Sequence, residues 1–205
     1  MSDERPLLLR TLAAAYDRSA EGYDDRFRAL QREKYRAGLS LLLPWLLEAG
    51  APLAPGQAGR PWLLDAGAGT GLFAEWLRDA DEPFAKARAA LLAPLLAGRC
   101  VALDASLAMV RQSAPRACVP LVADLAAPPL KKSRFALVVA FTAVLDRVPH
   151  ALAALGELVQ PGGALLVTFL VRESPTQAQV AESSGLSYRE HARAGQDRLH
   201  LLGRV

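Results

Sequence analysis

Three carboxylates follow short apolar runs along the chain, and the first of them opens a glycine-rich turn. These residues are Asp65, Asp104 and Asp124. In an open α/β sheet, ligands bind outside the carboxyl ends of the strands, so three strands that end in acids would line one crevice with negative charge. Such an edge repels a diphosphate. It suits a nucleoside that carries positive charge, because carboxylates accept hydrogen bonds from ribose hydroxyls, an amine or an ammonium group.

The turn after Asp65 contains three glycines, Gly67, Gly69 and Gly71, at alternate positions. Glycines there let the backbone turn sharply and let a ligand approach the loop and the start of the next helix. Nicotinamide-binding folds typically use the spacing Gly-x-Gly-x-x-Gly instead. The spacing and the nearby acid therefore disfavour a nicotinamide oxidoreductase.

Four sequence blocks resemble, in order, those of the class I S-adenosylmethionine-dependent methyltransferases. They cover residues 64–71, 101–109, 122–125 and 158–167. The resemblance implies S-adenosylmethionine as the cofactor, with the methionine portion against the glycine loop, its ammonium near the first acid, the ribose on the second and the adenine on the third. The cofactor-binding residues implied on these blocks are Asp65, Gly67, Ala68, Gly69, Asp104, Ala105, Asp124 and Leu125; Phe141, at the end of strand four, is added as a further candidate.

Candidate catalytic residues lie after the fourth predicted strand. Methyl transfer from a sulfonium needs no metal and no covalent intermediate, and a general base matters only when the acceptor arrives protonated. Asp146 and His150 are the candidates for such a base, with a turn acid and a helix-start surface residue as the respective alternatives. Two isolated cysteines, Cys100 and Cys118, are too few for a zinc site, so no metal is expected.

The elements that must position these residues follow from the apolar runs and from the resemblance. We expect an α/β fold with a Rossmann-like, seven-stranded, mostly parallel sheet, helices on both faces and the last strand antiparallel. Apart from the strand that ends at Asp104, strands are predicted at 62–65, 118–123, 135–141, 164–170, 186–191 and 199–205. Helices are predicted from residue 72 onward and at 148–158 and 176–183. The longer link at 79–96 predicts an added helix at 83–96, which serves packing, dimerisation or the substrate wall.

All 205 residues suit one domain, in which residues 1–49 form a helical lid and residues 61–205 form the core. Little chain remains after strand five, so the lid must come mainly from the N-terminal segment. The segment holding Tyr16 and Tyr23 resembles the part of small-molecule methyltransferases where an aromatic ring closes over the methionine end. An amphipathic stripe packed into the core is an equally weighted alternative for these tyrosines.

The sequence favours methyl transfer to an oxygen, nitrogen or sulfur atom of a small molecule. RNA or protein acceptors are the alternatives, and the basic cluster at 131–134 is where RNA could bind. A catalytically silent cofactor-binding protein also stays open, because no obvious base is present and Ala136 stands where many relatives have an acid. The N-terminus lacks signal-peptide features and no apolar run is long enough to span a bilayer, so a cytoplasmic location without a membrane partner is expected. The oligomeric state stays open.

Overall fold

The computed structural model describes residues 5–48, 63–79, 88–89, 99–116, 119–141 and 150–204. Its α-helices are α1 (Arg5–Ser19), α2 (Tyr23–Glu48), α3 (Leu72–Arg78), α4 (Leu107–Ser113), α5 (Ala151–Leu158) and α6 (Gln177–Ser184). Short 3-10 turns lie at Ala20–Gly22, Ala114–Arg116 and Val171–Glu173. None of the described helices combines the length and apolar character that a membrane crossing requires.

Seven strands form one sheet: β1 (Leu63–Ala66), β2 (Cys100–Asp104), β3 (Val119–Val122), β4 (Phe135–Ala140), β5 (Val159–Leu170), β6 (Ser187–Ala194) and β7 (Asp197–Gly203). Their order is β3-β2-β1-β4-β5-β7-β6. The first five strands pair in parallel, and β7 is antiparallel to both of its neighbours, β5 and β6. The predicted fold class, with its single reversed last strand, is confirmed.

Strands β1 and β4 stand in the middle of the sheet and are buried along their whole length. This burial follows from their sequences, which are apolar throughout β4 and apolar except for Asp65 in β1, as is typical of parallel strands covered on both faces. One face carries a core formed with α2 and α3 that includes Tyr35, Leu39 and Trp76. The other face carries a core formed with α5 and α6 that includes Leu155 and Val180. The two cores hold the carboxyl ends of β1, β2 and β4 side by side.

The N-terminal segment consists of two helices joined by the turn at Ala20–Gly22. Helix α1 contacts α4, the helix that follows β2, while α2 contacts α3, β6 and β7. Gly38 allows α2 to approach the sheet closely, because a Cβ at this position would lie 2.9 Å from atoms of both Leu166 and Phe141. The second half of α2 is therefore part of the core, with Leu42 and Trp45 buried in it.

Several boundaries differ from the sequence expectation. Strand β5 begins at Val159 instead of residue 164, because Val159 already pairs with Phe135 before a register shift. Strands β6 and β7 extend towards each other until Ala194 pairs with Asp197, which leaves a two-residue turn. The linker at 50–61, Cys118 and most of the predicted helix at 83–96 lie outside the described residues, while Cys100 is buried at the start of β2.

Candidate functional site

The glycine turn after β1 is held against the end of β2. The backbone N–H groups of Gly67 and Ala68 both donate to the carbonyl oxygen of Leu103, at 2.7 and 3.0 Å. Gly69 and Gly71 have φ angles of +54° and +84°, in the left-handed region that favours glycine. At Gly71 a Cβ would also lie 3.0 Å from the Cβ of Ser113. Glycine is therefore required here both for the backbone conformation and for the approach of α4.

A narrow pocket lies between this loop and the first half of α2. Asp65 at the end of β1, Phe141 just after β4 and the aromatic ring of Tyr23 are part of its wall. The residues that line it are Tyr23, Gln31, Tyr35, Asp65, Gly67, Ala68, Gly69, Thr70, Leu72 and Phe141. Six of the residues predicted from the sequence are thus brought together around one cavity.

Asp65 is the most unusual group in this pocket. Only 3% of the residue is exposed, and its Oδ2 atom has no hydrogen-bond partner among the described residues. Burial, with a smaller contribution from the negative charge of Asp104, raises the pKa of the Asp65 carboxyl to about 7. Burying a carboxylate without a hydrogen-bond partner costs free energy. A cation with N–H donors in the space beside the carboxylate would offset that cost.

Asp104 joins the loops that follow β1 and β2. Its Oδ2 accepts from the Gly69 N–H and its Oδ1 accepts from the Ser106 N–H, each at 2.9 Å. Burial raises the pKa of Asp104, and these backbone hydrogen bonds partly oppose that rise. Each carboxylate oxygen can accept more than one hydrogen bond, so Asp104 retains acceptor capacity for a ligand hydroxyl.

The other predicted residues of the adenosine end lie further along the same edge. Asp124 Oδ1 accepts from the Ala126 N–H at 2.8 Å, a contact that is typical of an aspartate in a turn. Leu125 is buried in the core of the opposite sheet face. The loops are linked through the Ala123 N–H, which donates to the Asp104 carbonyl oxygen at 3.0 Å. Ala105 lies between Asp104 and Ser106 and is partly buried.

Two predicted aromatic residues face the glycine loop. The ring of Tyr23 lies 3.9 Å from where a Cβ of Gly69 would be, and burial raises the pKa of its hydroxyl to about 12. Phe141 packs on Tyr35 with ring centroids 4.9 Å apart. Tyr16 is half-buried near the end of α1 and is close enough to Tyr23 to influence its pKa.

The candidate bases are less well placed or lie outside the described residues. His150 is exposed at the N-cap of α5, with a left-handed φ of 67°, and it does not line the pocket. Asp146 falls within 142–149, which the structure does not describe. Among the described residues, no group of three or more potential metal ligands is close enough together to hold an ion.

Sequence reasoning missed several pocket residues, namely Gln31, Tyr35, Thr70 and Leu72. Gln31, Tyr35 and Gly38 are spaced by four and three residues, which is the spacing of one helical face. That pattern could have shown which side of α2 faces the sheet. It could not have shown that this face lies beside the glycine loop.

Comparison with known proteins gives structural relatives and no sequence relatives. The sequence matches no family model and no curated protein. A structure described as a possible histamine N-methyltransferase from Thermotoga maritima superposes with a TM-score of 0.60 at 14% identity, covering 94% of this chain and 99% of that one. The magnesium protoporphyrin IX methyltransferase of Synechocystis PCC 6803, with bound S-adenosylmethionine, gives 0.58 at 16% identity, covering 100% and 99%.

A third relative is the geranyl diphosphate C-methyltransferase of Streptomyces coelicolor A3(2), determined with Mg²⁺, geranyl diphosphate and S-adenosylhomocysteine. Its TM-score is 0.52 at 13% identity, with 83% of this chain and 79% of that chain covered. These three proteins have unlike acceptors but one fold. The chain therefore has the fold of the S-adenosylmethionine-dependent class I methyltransferases, as the sequence blocks predicted.

Proposed function

We propose that this protein binds S-adenosylmethionine and transfers its methyl group to an oxygen, nitrogen or sulfur atom of a small molecule. The observation that carries the proposal is the unpartnered, buried oxygen of Asp65 beside the glycine loop. In a fold whose structural relatives are methyltransferases, this site offers an acceptor for an ammonium group. Among the described residues that line it, none is a lysine or arginine that would favour a phosphate.

The described residues fit each part of that cofactor. Asp65 would accept from the ammonium, and the turn at Gly67–Gly69 would leave room for the methionine chain. Asp104 would accept from the ribose hydroxyls with its remaining lone pairs, and Asp124 with Leu125 would meet the adenine. The bound cofactor supplies a methyl group on a positively charged sulfur. The faces of Tyr23 and Phe141 would attract that charge, because aromatic rings are negative over their faces.

Positioning and exclusion of water are the tasks left to the protein. Holding the acceptor atom in line with the methyl group can supply about 7–11 kcal/mol of the barrier. The pocket wall formed by Tyr23, Gln31 and Tyr35 comes from α2, so this helix would cover the methionine end. This narrow, covered site favours a small acceptor over a folded RNA or protein surface.

Binding and transfer are tested separately. Isothermal titration calorimetry with S-adenosylmethionine and S-adenosylhomocysteine should show one site, while a nicotinamide dinucleotide should not bind. Cell extracts incubated with methyl-labelled cofactor and the protein should then show label in a small-molecule fraction. Label in RNA or protein would move the acceptor to those classes, and cofactor binding without any label would indicate the silent binding protein.

A further inference from the structure

A dipeptide is repeated in the N-terminal segment. Tyr16-Asp17 lies in the last turn of α1 and Tyr23-Asp24 begins α2, so the two pairs lie seven residues apart on either side of the turn at Ala20–Gly22. The function proposed above uses the two tyrosines. It leaves the roles of the two aspartates open.

Asp17 reaches the loop after β2. Its Oδ1 accepts from the Ser106 hydroxyl and from the Ala108 N–H, the latter at 3.0 Å. Ser106 is the N-cap of α4, and its own hydroxyl oxygen accepts from the Met109 N–H at 3.1 Å. Asp17 therefore completes the capping of α4 from a distant part of the chain, because it satisfies an N–H group in the first turn that the helix leaves unpaired.

Asp24 reaches the other loop, after β1. Its Oδ1 accepts from the Thr70 hydroxyl, and its Oδ2 lies 2.6 Å from Nη2 of Arg116. Arg116 also donates to the Thr70 carbonyl oxygen at 2.6 Å and pairs with Glu75 at 3.0 Å. Asp24 thus binds Thr70, the residue after Gly69, and Arg116, which itself binds the same turn.

The two contacts lie on either side of Asp104. Ser106, which binds Asp17, donates its N–H to Asp104, and so does Gly69, which precedes the Thr70 that binds Asp24. Each aspartate binds a hydroxyl on a different loop, and Asp104 ties those loops together. Tyr23, which precedes Asp24, lines the candidate cofactor pocket, and Tyr16, which precedes Asp17, lies close enough to Tyr23 to influence its pKa.

We propose that Asp17 and Asp24 are positioning residues, a two-point clasp that fixes the N-terminal helices to both cofactor loops and so holds Tyr16 and Tyr23 over the site. This inference rests on the proposed function for its role, but the clasp itself is a property of the ligand-free protein. Because the second half of α2 is in the core, release of the clasp frees α1 and the first turns of α2 while the sheet stays intact. Cofactor would leave faster from a site whose cover is no longer fixed.

Hydrogen exchange measured by mass spectrometry on the ligand-free protein tests the clasp directly. Asp17→Ala and Asp24→Ala should each speed exchange in residues 5–30 about five- to tenfold, with no change in β1, β4 and β5. Glu21→Ala and Asp25→Ala are matched controls, because they remove exposed acids from the same segment. Exchange in Asp17→Ala and Asp24→Ala no faster than in these controls would overturn the clasp.

A second measurement tests positioning. Thr70→Val and Ser106→Ala remove the partner hydroxyls and leave the aspartates in place, so each should reproduce the faster exchange of its partner variant. Stopped-flow dissociation of S-adenosylhomocysteine should be about fivefold faster or more in Asp24→Ala than in Asp25→Ala. Equal dissociation rates would overturn the positioning role. Failure of the unaltered protein to bind the cofactor at all would instead overturn the proposed function, because the exchange experiment uses no ligand.

Discussion

Two buried aspartates near the carboxyl end of the sheet have opposite surroundings. Asp197, at the start of β7, is 2% exposed and lies 2.9 Å from the ammonium nitrogen of Lys34, which is itself 1% exposed. Asp65, at 3% exposure, has an oxygen without a partner among the described residues. One buried carboxyl is thus paired with a cation of the protein itself, while the other is the one that a ligand would pair with in the proposed function.

The difference separates structural from functional polar groups. The Lys34–Asp197 pair fixes α2 to the hairpin of β6 and β7. Asp65 Oδ2 has no such partner among the described residues, and strongly perturbed carboxyl groups in clefts are typical of functional sites. Substitutions at the two sites should therefore change different properties, the free energy of unfolding at the Asp197 pair and cofactor binding at Asp65.

The largest expected effect comes from breaking the completed pair. Lys34→Met should lower the free energy of unfolding by about 3–5 kcal/mol, because Asp197 is then left buried and unpaired. Urea unfolding at pH 7 measures this loss. The double variant Lys34→Met/Asp197→Leu should recover most of it, since an apolar pair replaces the ionic one. A single variant within about 1 kcal/mol of the unaltered protein would show that the ion pair is not essential for the packing of α2.

Breaking the incomplete site should affect binding before stability. Asp65→Asn should weaken S-adenosylmethionine binding about tenfold to a hundredfold, because the ammonium loses a charged acceptor worth about 1.5–3 kcal/mol. Its free energy of unfolding at pH 8 should be unchanged or higher, since a buried charge has been removed. Asp197→Asn is the matched control: it should reduce stability and leave cofactor affinity in the folded protein intact. The reverse pattern would exchange the roles of the two aspartates.

The sequence predicts those features of the two aspartates that arise from neighbouring residues, but not those that arise from contacts between distant parts of the chain. The strands that carry or lead to Asp65, Asp104 and Asp124 were predictable, because apolar runs and glycine turns are local signals. The pairing of Lys34 with Asp197 was not, because it joins distant parts of the chain through packing alone. Helix α2 shows the same limit: Leu30 is 39% exposed, while Lys34 is buried, which the residue types alone would not predict.

The candidate site divides in the same way. The glycine loop and its acids follow a local pattern, and six predicted residues line the pocket. Tyr35 and Thr70 were missed, because their place in the pocket depends on how α2 lies across the sheet. The contacts of Asp17 with Ser106 and of Asp24 with Arg116 also arise only from tertiary structure.

The affinity for S-adenosylmethionine should depend on pH through the ionisation of Asp65. The pKa of Asp65 is about 7 in the ligand-free protein, and an ammonium group requires the ionised carboxylate. Affinity for S-adenosylmethionine should therefore increase about tenfold between pH 6 and pH 8, until the ammonium of the ligand begins to lose its own proton. Calorimetry should show proton release at pH 6. Asp65→Asn should abolish the trend, and methylthioadenosine, which lacks the ammonium, should bind equally across this range.

The smallest expected effect concerns Asp17, whose pKa is lowered, whereas that of Asp65 is raised. The hydroxyl of Ser106, with a second hydrogen bond from the Ala108 N–H, lowers the pKa of Asp17 below its usual value. Asp17 therefore stabilises the folded protein above the unfolded pKa of about 3.9, and this contribution is lost as the pH falls through the lower folded value. Asp65 has a raised pKa, so its contribution is greatest below about pH 4 and is lost as the pH rises through about 7.

Urea unfolding from pH 2.5 to pH 8 separates these two contributions. Asp17→Asn should cost less than about 1 kcal/mol at neutral pH, because the side chain is solvent-exposed and screened, and the deficit should shrink below pH 4. Asp65→Asn should instead have a higher free energy of unfolding than the unaltered protein at higher pH, and this difference should grow between pH 5 and pH 8. A deficit of Asp17→Asn that persists undiminished at pH 2.5 would mean that the residue acts through packing, since a protonated Asp17 would then stabilise α1 as well as an ionised one.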